Sequence, residues 1–348
     1  MRKELMKPVF VLGRSGSMSC LEADIIGESH SLIGKQKNIW LESVMGVVVG
    51  DALGMPVQFL GREALKKRPI EKMEGYGTYN KPAGTWSDDS SMTLATLISI
   101  REKNAIDYED IMERFTAWAL YGEYTPAGET FDQGLTCMEA IYNYAKSKDY
   151  RTCGKTGEWA NGNGALMRII PVCLFGYEKE LSGEWDVKQV LECIHQVSAL
   201  THNHLRSKIA CGMYYFMVKN IIEGDSNLTV RLQKGIDEAL KFYHGDIANH
   251  VELAHYERLF RLDVFSKCPN EDIKSIGYVV DSLEAAVWSL VTTNSFEEAL
   301  IKAVNLGDDA DTVAAIAGGL AALFYGYDNI PKEWLRQIVK REWIESLC

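Results

Sequence analysis

Apolar residues recur at three- and four-residue spacing in nine separate stretches, and this helical period constrains the fold more than any other feature. The stretches are 91–101, 109–121, 134–146, 187–200, 204–222, 229–243, 278–291, 295–305 and 312–325. Each pattern places an apolar stripe on one helix face, which must be buried against other helices. Alternating β-branched runs are nearly absent, and the one strand candidate, 169–174, contains the unfavourable Pro171. The sequence predicts an all-α fold.

Residues 39–348 contain no linker rich in Gly, Pro or Ser and no internal repeat. Many helices joined by short links predict one compact all-α domain. A hydrophobic content of 47% supplies enough apolar material for a large core. Residues 1–38 are mixed and weakly periodic, and we interpret them as a partly disordered N-terminal extension.

Charge and cysteine usage limit the partners. The formal net charge of −11 argues against non-specific nucleic-acid binding, which needs clustered Lys and Arg. The longest apolar candidate, 313–325, is shorter than the ~18 residues of a membrane span. The eight cysteines contain no C-x-x-C pair. We therefore expect reduced thiols, a cytoplasmic location and no membrane partner.

A first acidic cluster stands at the start of an apolar helix, with Ser87, Asp88, Asp89 and Ser90 in succession. Helix capping explains one such side chain. Two adjacent carboxylates against an apolar helix cost free energy unless a cation pairs with them. This pattern favours a metal site, with capping as the alternative.

A second cluster opens the most apolar helix of the chain, with Asp308, Asp309, Asp311 and Thr312. Carboxylates this close repel one another unless solvent or metal separates them. Oxygen ligands suit Mg²⁺ or Mn²⁺, allow Ca²⁺ and disfavour zinc.

Three glycines, Gly46, Gly50 and Gly54, share one helical face, which favours close packing of another helix over a ligand site. Asp51 lies within the same apolar run, where a buried carboxylate needs a partner. The turn 161–164 enters a helix carrying Arg168 and could cradle a phosphate. His202 and His204 do not share a helical face, so we expect polar lining or capping there and no zinc.

Six stretches in this order resemble the ADP-ribosylglycohydrolase family: GVVVGDALGMPVQF, GTWSDDSSMTLA, ETFDQGLT, NGNGALMRIIPV, SALTHNHL and NLGDDADTVAAIAGG. The resemblance runs from about Ser43 to Tyr327 and implies an all-α fold, an orthogonal helical bundle in a single compact domain, with two Mg²⁺ or Mn²⁺ ions. It implies that Ser87, Asp88 and Asp89 bind one ion, and that Asp309, Asp311 and Thr312 bind the other. Asp308 stands where the family often has Gly.

The resemblance also implies an activity, hydrolysis of the C1″ bond that joins ADP-ribose to a protein side chain or small acceptor. We expect catalytic roles for Asp132, Asp89 and Asp309. We expect ligand contacts from Asp51, Gln58, Asn161, Gly162, Asn163, Gly164 and His202. The partner would be an ADP-ribosylated protein or an ADP-ribose-containing small molecule.

Gln58 stands where many family members have Glu, and an amide cannot act as a general base. Either another carboxylate is catalytic, with Asp132 the first candidate, or activity is reduced. Three alternatives to this hydrolase remain. Gln58 supports the first, an ADP-ribose binder without turnover like the crystallin relatives. The others are a two-metal phosphohydrolase and a structural helical protein with acidic caps.

Overall fold

The computed structural model describes residues 37–348, and residues 38–348 form one compact unit. Within this part no β-strand is formed. The helices are α1 (Ile39–Gly54), α2 (Arg62–Lys67), α3 (Asp88–Lys103), α4 (Tyr108–Tyr121), α5 (Leu135–Ser147), α6 (Ile170–Leu181), α7 (Val187–Ala199), α8 (Leu205–Glu223), α9 (Leu228–Tyr243), α10 (His250–Leu253), α11 (Leu262–Phe265), α12 (Val279–Val291), α13 (Phe296–Val304), α14 (Ala310–Tyr325), α15 (Lys332–Gln337) and α16 (Arg341–Leu347).

The predicted all-α fold is confirmed, and the nine predicted stretches correspond to α3, α4, α5, α7, α8, α9, α12, α13 and α14. The strand candidate 169–174 instead enters α6. Pro171 lies in the first turn of that helix, where its missing N–H removes no helical hydrogen bond. The predicted extension at 1–38 lies outside the described residues, except for Lys37 and Asn38.

Helices α1 and α14 cross in the centre of the core at backbone contact. A Cβ added to Gly46 would lie 2.2 Å from the carbonyl oxygen of Gly318, and one on Gly50 would lie 2.1 Å from that of Ala314. One on Gly54 would lie 2.4 Å from the Cα of Asp311. The glycine face therefore serves helix packing, as predicted. This close approach brings the C-terminal end of α1 beside the N-terminal end of α14.

One stretch, Ile39–Val57, is long and apolar enough to span a membrane by length and composition. It replaces 313–325 as the longest such candidate among the described residues. Because 89% of its apolar window is buried inside the protein, the apolar surface is already used in packing. Its apolar character is therefore explained by its place in the core.

Candidate metal centre and its cleft

A cavity of about 520 Å³ opens where the N-terminal ends of α3 and α14 meet. Its walls come from seven separate parts of the chain. The lining residues are Gln58, Phe59, Asp88, Asp132, Gly134, Leu135, Thr136, Cys137, Gly162, Asn163, Gly164, Met167, His202, Ile276, Gly277, Asp308, Asp309 and Thr312. None of these residues is Lys or Arg, so the lining side chains carry only acidic formal charge.

Asp51 connects α1 to the start of α3. Its carboxylate accepts the backbone N–H of Ser87 at 2.9 Å and that of Ser90 at 3.0 Å. It also accepts the hydroxyl of Ser87 at 2.8 Å and that of Ser90 at 2.5 Å. Asp51 is fully buried and does not line the cavity. Asp51 thus caps α3 from another helix and fixes the Ser87 hydroxyl, and its expected ligand contact stays a prediction.

Asp89 and Asp311 lie next to this link, both fully buried. One oxygen each from Asp51, Asp89 and Asp311 lies within 4.8 Å of the others, a separation that suits a metal ion. The Asp51 oxygens are already occupied by four donors, so Asp89 and Asp311 are the freer ligands of the three. The hydroxyl of Thr312 donates to Asp89 Oδ2 at 3.3 Å and joins the two acidic clusters.

Asp309 belongs to the same centre but faces the cavity. Its Oδ1 accepts from Gln58 Nε2 at 3.3 Å, and its Oδ2 accepts from Asn163 Nδ2 at 2.5 Å. Asn163 also donates to the hydroxyl of Ser282 at 2.8 Å. Asp308 has a φ of 55°, the left-handed region that glycine adopts without strain.

Helix capping does not explain either acidic cluster. Ser87 is the N-cap residue of α3 and Asp309 that of α14, yet neither side chain caps its own helix. The hydroxyl of Ser87 is instead directed to Asp51, and the Asp309 carboxylate to Gln58 and Asn163. The clusters therefore require an explanation beyond local helix stability.

Burial dominates the electrostatics of this centre. It raises the pKa of Asp88, Asp89 and Asp311 well above the usual range, and neighbouring carboxylates raise each pKa further. Burial also raises the pKa of Asp51 to about 6, although the hydrogen bonds from Ser90 and Ser87 oppose this rise. Carboxylates in such surroundings hold protons or bind cations, since an isolated buried negative charge is too costly.

Four buried oxygens at the centre fit a cation. Gln58 Oε1, Asp89 Oδ1, Asp132 Oδ2 and Asp311 Oδ2 have no hydrogen-bond partner among the described residues. Each is an acceptor in an environment where unsatisfied acceptors are rare and costly. An all-oxygen set of this kind suits a hard divalent cation such as Mg²⁺ or Mn²⁺.

The glycine-rich turn borders the cavity through Gly162, Asn163 and Gly164. Asn161 lies behind the turn, where its amide donates to the Glu158 carbonyl and its oxygen accepts from the Ser207 hydroxyl. It therefore holds the turn in place and does not line the cavity, and its expected ligand contact stays a prediction.

Arg168 also differs from the phosphate-cradle expectation. It is fully buried, donates to the Thr201 hydroxyl at 2.7 Å and stacks on Phe115. It ends a 3-10 helix, Asn163–Arg168, whose three-residue turn directs this side chain into the core. Arg168 is therefore not available to bind an anion in the cleft.

His202 lies against the turn and lines the cavity. A Cβ on Gly162 would approach its Nε2 to 3.2 Å, and one on Gly164 would approach its Cε1 to 3.0 Å. Burial, with a smaller effect from Arg168, lowers the pKa of His202 to about 3. The ring is neutral at physiological pH and forms polar lining, as its sequence context indicated.

Asp132 also lines the cavity. Its Oδ1 accepts from the hydroxyl of Tyr79 at 2.7 Å. Nothing in the sequence pattern marks Tyr79 or Ser282, because each acts through a contact between distant segments. The apolar rim formed by Phe59, Leu135 and Ile276 is likewise visible only in the folded chain.

Comparison with known proteins agrees with this geometry. A model of the ADP-ribosylglycohydrolase family matches residues 35–348. The ADP-ribosylarginine hydrolase Tri1 of Serratia proteamaculans (strain 568) is 31% identical over 324 residues, 93% of this chain and 80% of that protein. The ADP-ribosyl-[dinitrogen reductase] glycohydrolase of Rhodospirillum rubrum is 32% identical over 309 residues, 87% of this chain and 92% of that protein.

A solved structure shares the fold. Described as an ADP-ribosylglycohydrolase-related protein complex, it superimposes with a TM-score of 0.69 at 28% identity. The match covers 89% of this chain and 95% of the other. The similarity therefore includes the acidic centre together with the helices that position it.

Proposed function

This chain belongs to the ADP-ribosylglycohydrolase family, and we propose that it hydrolyses the bond between C1″ of ADP-ribose and an arginine side chain of a modified protein. Removal of ADP-ribose from an acceptor by hydrolysis is the activity that the family relationship establishes. The choice of arginine is supported by the name of the Serratia relative, an ADP-ribosylarginine hydrolase. The observation that carries the site assignment is the set of four unpartnered buried oxygens on Gln58 and Asp132, which line the cavity, and on Asp89 and Asp311.

We propose that this centre holds two divalent ions, Mg²⁺ or Mn²⁺. A hydrogen bond from Thr312 to Asp89 joins the two acidic clusters, and the ions would be held by these two residues together with Ser87, Asp88, Asp309 and Asp311. Bound cations would polarise a water molecule, lower its pKa and bind the ribose hydroxyls. Asp51 keeps the Ser87 hydroxyl turned so that its lone pairs remain available.

Asp132 is the proposed general base. Its Oδ2 has no partner among the described residues, and it lies in the cavity wall. It would accept the proton of the water whose oxygen bonds to C1″, as the bond from C1″ to the arginine nitrogen breaks. The leaving nitrogen keeps the bonding electron pair and takes up a proton, which gives ADP-ribose and unmodified arginine. Gln58 cannot serve as this base, since an amide has no basic oxygen.

The pyrophosphate would lie against the turn that contains Gly162 and Gly164. Both glycines leave backbone uncovered beside the cavity, and a side chain at either position would approach His202 closely. Backbone N–H groups in such turns bind anions without a formal charge. This accounts for an anionic ligand in a cavity whose lining lacks Lys and Arg.

The direct test is to incubate the protein with peptides ADP-ribosylated on arginine or on serine, in Mg²⁺, Mn²⁺ or EDTA. Free ADP-ribose is then followed by mass spectrometry. We expect release from arginine with metal and none in EDTA. Release of AMP would instead indicate a phosphohydrolase, and stabilisation by ADP-ribose without turnover would indicate a binder.

A pair of variants tests the metal centre. Asp311→Asn should lower metal affinity and activity together, by at least about tenfold, because a buried ligand charge is lost. Asp263→Asn is the matched control, since Asp263 forms an exposed ion pair with Arg261 far from the cavity lining. An Asp311→Asn enzyme with wild-type metal dependence would exclude this centre.

A further inference from the structure

Tyr79 is connected to the cleft through a single, well-formed hydrogen bond. Its hydroxyl donates to Asp132 Oδ1 at 2.7 Å, which leaves Oδ2 as the oxygen without a partner among the described residues. A carboxylate held at one oxygen presents the other in a fixed direction. We propose that Tyr79 is a positioning residue, which orients Asp132 so that Oδ2 faces the attacking water. This proposal rests on the proposed function.

The backbone of Asp132 needs such support. Its φ of 54° lies in the left-handed region, which is uncommon for residues other than glycine. Such conformations persist where the surroundings determine them, and they are concentrated at functional sites. The Tyr79 ring also contacts the ring of Phe131, with centroids 5.2 Å apart. Tyr79 therefore contacts both the carboxylate of Asp132 and the ring of the preceding residue, Phe131.

The segment 76–81 is itself fixed to the metal centre. Thr78 donates its backbone N–H to the Pro56 carbonyl at 2.8 Å and its hydroxyl to the Gln58 carbonyl at 2.7 Å. Only glycine fits at Gly77, where a Cβ would lie 1.7 Å from the Pro56 oxygen. The segment thus connects the residues that follow α1 to the loop carrying Asp132.

Lys81 provides further contacts between segment 76–81 and the loop carrying Asp132. Lys81 forms an ion pair with Glu129 and lies 5.3 Å from the ring centre of Phe131. Segment 76–81 therefore contacts the Asp132 loop at three side chains. The Tyr79 hydroxyl remains a donor throughout, because burial and the nearby carboxylates of Asp132, Asp311 and Asp88 raise its pKa.

The experiment compares Tyr79→Phe with Tyr76→Phe in the full chain on the ADP-ribosyl-arginine peptide. Tyr76 is the matched control: it lies three residues away, is 72% exposed and does not line the cavity. Tyr79→Phe should lower kcat about tenfold, the usual scale for losing a hydrogen bond to a charged group. The KM and the ADP-ribose affinity should stay near wild type, and Tyr76→Phe should match wild type in kcat, KM and ADP-ribose affinity.

A double-mutant cycle with Asp132→Ala separates positioning from general structure. If Tyr79 acts through Asp132, Tyr79→Phe should have no further effect in the Asp132→Ala background. A Tyr79→Phe enzyme with wild-type kcat, or an equal loss in both backgrounds, would overturn the proposal. An inactive wild-type protein would instead contradict the proposed function, which keeps the two failures distinct.

Discussion

The hydroxyl of Ser87 donates to Oδ1 of Asp51 at 2.8 Å, and the backbone N–H of Ser87 donates to both oxygens of that same carboxylate. One residue of α1 thereby performs the capping that Ser87 would otherwise perform for α3. The consequence is chemical as well as structural. With its proton committed to Asp51, the Ser87 hydroxyl has lone pairs left for a cation, so the cap and the metal centre depend on the same contact.

Asp51→Ala should therefore impair both properties. It leaves two buried N–H groups and two hydroxyls without their acceptor, which should lower the free energy of unfolding by about 3 kcal/mol. Metal affinity should fall about 10- to 100-fold through loss of the supporting contact. Urea unfolding and calorimetric titration with Mn²⁺ measure the two effects.

Asp186→Ala is the control for this variant. Asp186 caps α7 in an exposed capping box, so its loss should cost about 1 kcal/mol and leave metal affinity unchanged. Equal metal affinities in Asp51→Ala and Asp186→Ala would show that Asp51 serves stability alone.

Gly50→Ala tests the crossing of α1 and α14. The added Cβ would meet the backbone of Ala314 at 2.1 Å, and backbone cannot rotate away as a side chain can. We expect a loss of about 1–3 kcal/mol or more in the free energy of unfolding. Gly61→Ala, at a position with no atom within 4 Å of the new Cβ, should be close to neutral. Equal stabilities of the two variants would contradict the close crossing.

The helices were predictable because each carries its own periodic apolar stripe, as in α9 and α13. The acidic clusters were predictable for a different reason: capping requires one side chain, and both Asp88–Asp89 and Asp308–Asp311 supply more than one. Their meeting in space was available only from the family resemblance. Nothing in the local sequence brings Thr312 to Asp89, 223 residues away.

Other features depend on contacts that no local pattern encodes. Tyr79 and Asp132 are 53 residues apart and share neither a helix nor a motif. Arg168 was expected to face phosphate, but the 3-10 geometry of the preceding turn places it in the core. Asn161 and Asp51 were expected to touch ligand, yet their polar atoms are used by neighbouring segments.

Metal stabilisation should increase with pH. Burial raises the pKa of Asp51 to about 6, and that of Asp89 and Asp311 well above the usual range, so the metal-free centre holds protons. A carboxyl group whose pKa is raised in the folded state stabilises the protein fully at pH values below its unfolded-state pKa. This stabilisation is lost as the pH rises through its folded-state pKa. The metal-free protein should therefore lose this contribution from about pH 4 upward, while a cation replaces the protons.

Thermal unfolding with Mg²⁺ and with EDTA, at about pH 5, 6.5 and 8, measures this effect. The difference in Tm between the two conditions should be smallest at the lowest pH. With free Mg²⁺ at about 100 times its dissociation constant, binding should add about 2.7 kcal/mol to the free energy of unfolding. Asp311→Asn provides the control, since it should reduce the difference at every pH. A difference independent of pH would show that no proton is displaced on binding.

Gln58→Glu tests how this chain compensates for the missing carboxylate. Gln58 donates to Asp309 at 3.3 Å and directs an unpartnered Oε1 toward the same centre. A glutamate there would lose the donor and place a like charge beside Asp309, so the metal-free protein should be destabilised, by about 1–3 kcal/mol. The added ligand charge should at the same time tighten Mg²⁺ or Mn²⁺ binding. Gln133→Glu, an exposed substitution of the same chemistry next to Asp132, controls for net charge. Tighter binding with a lower metal-free Tm would place position 58 at the metal centre, whereas unchanged metal affinity would show that the centre is complete without it.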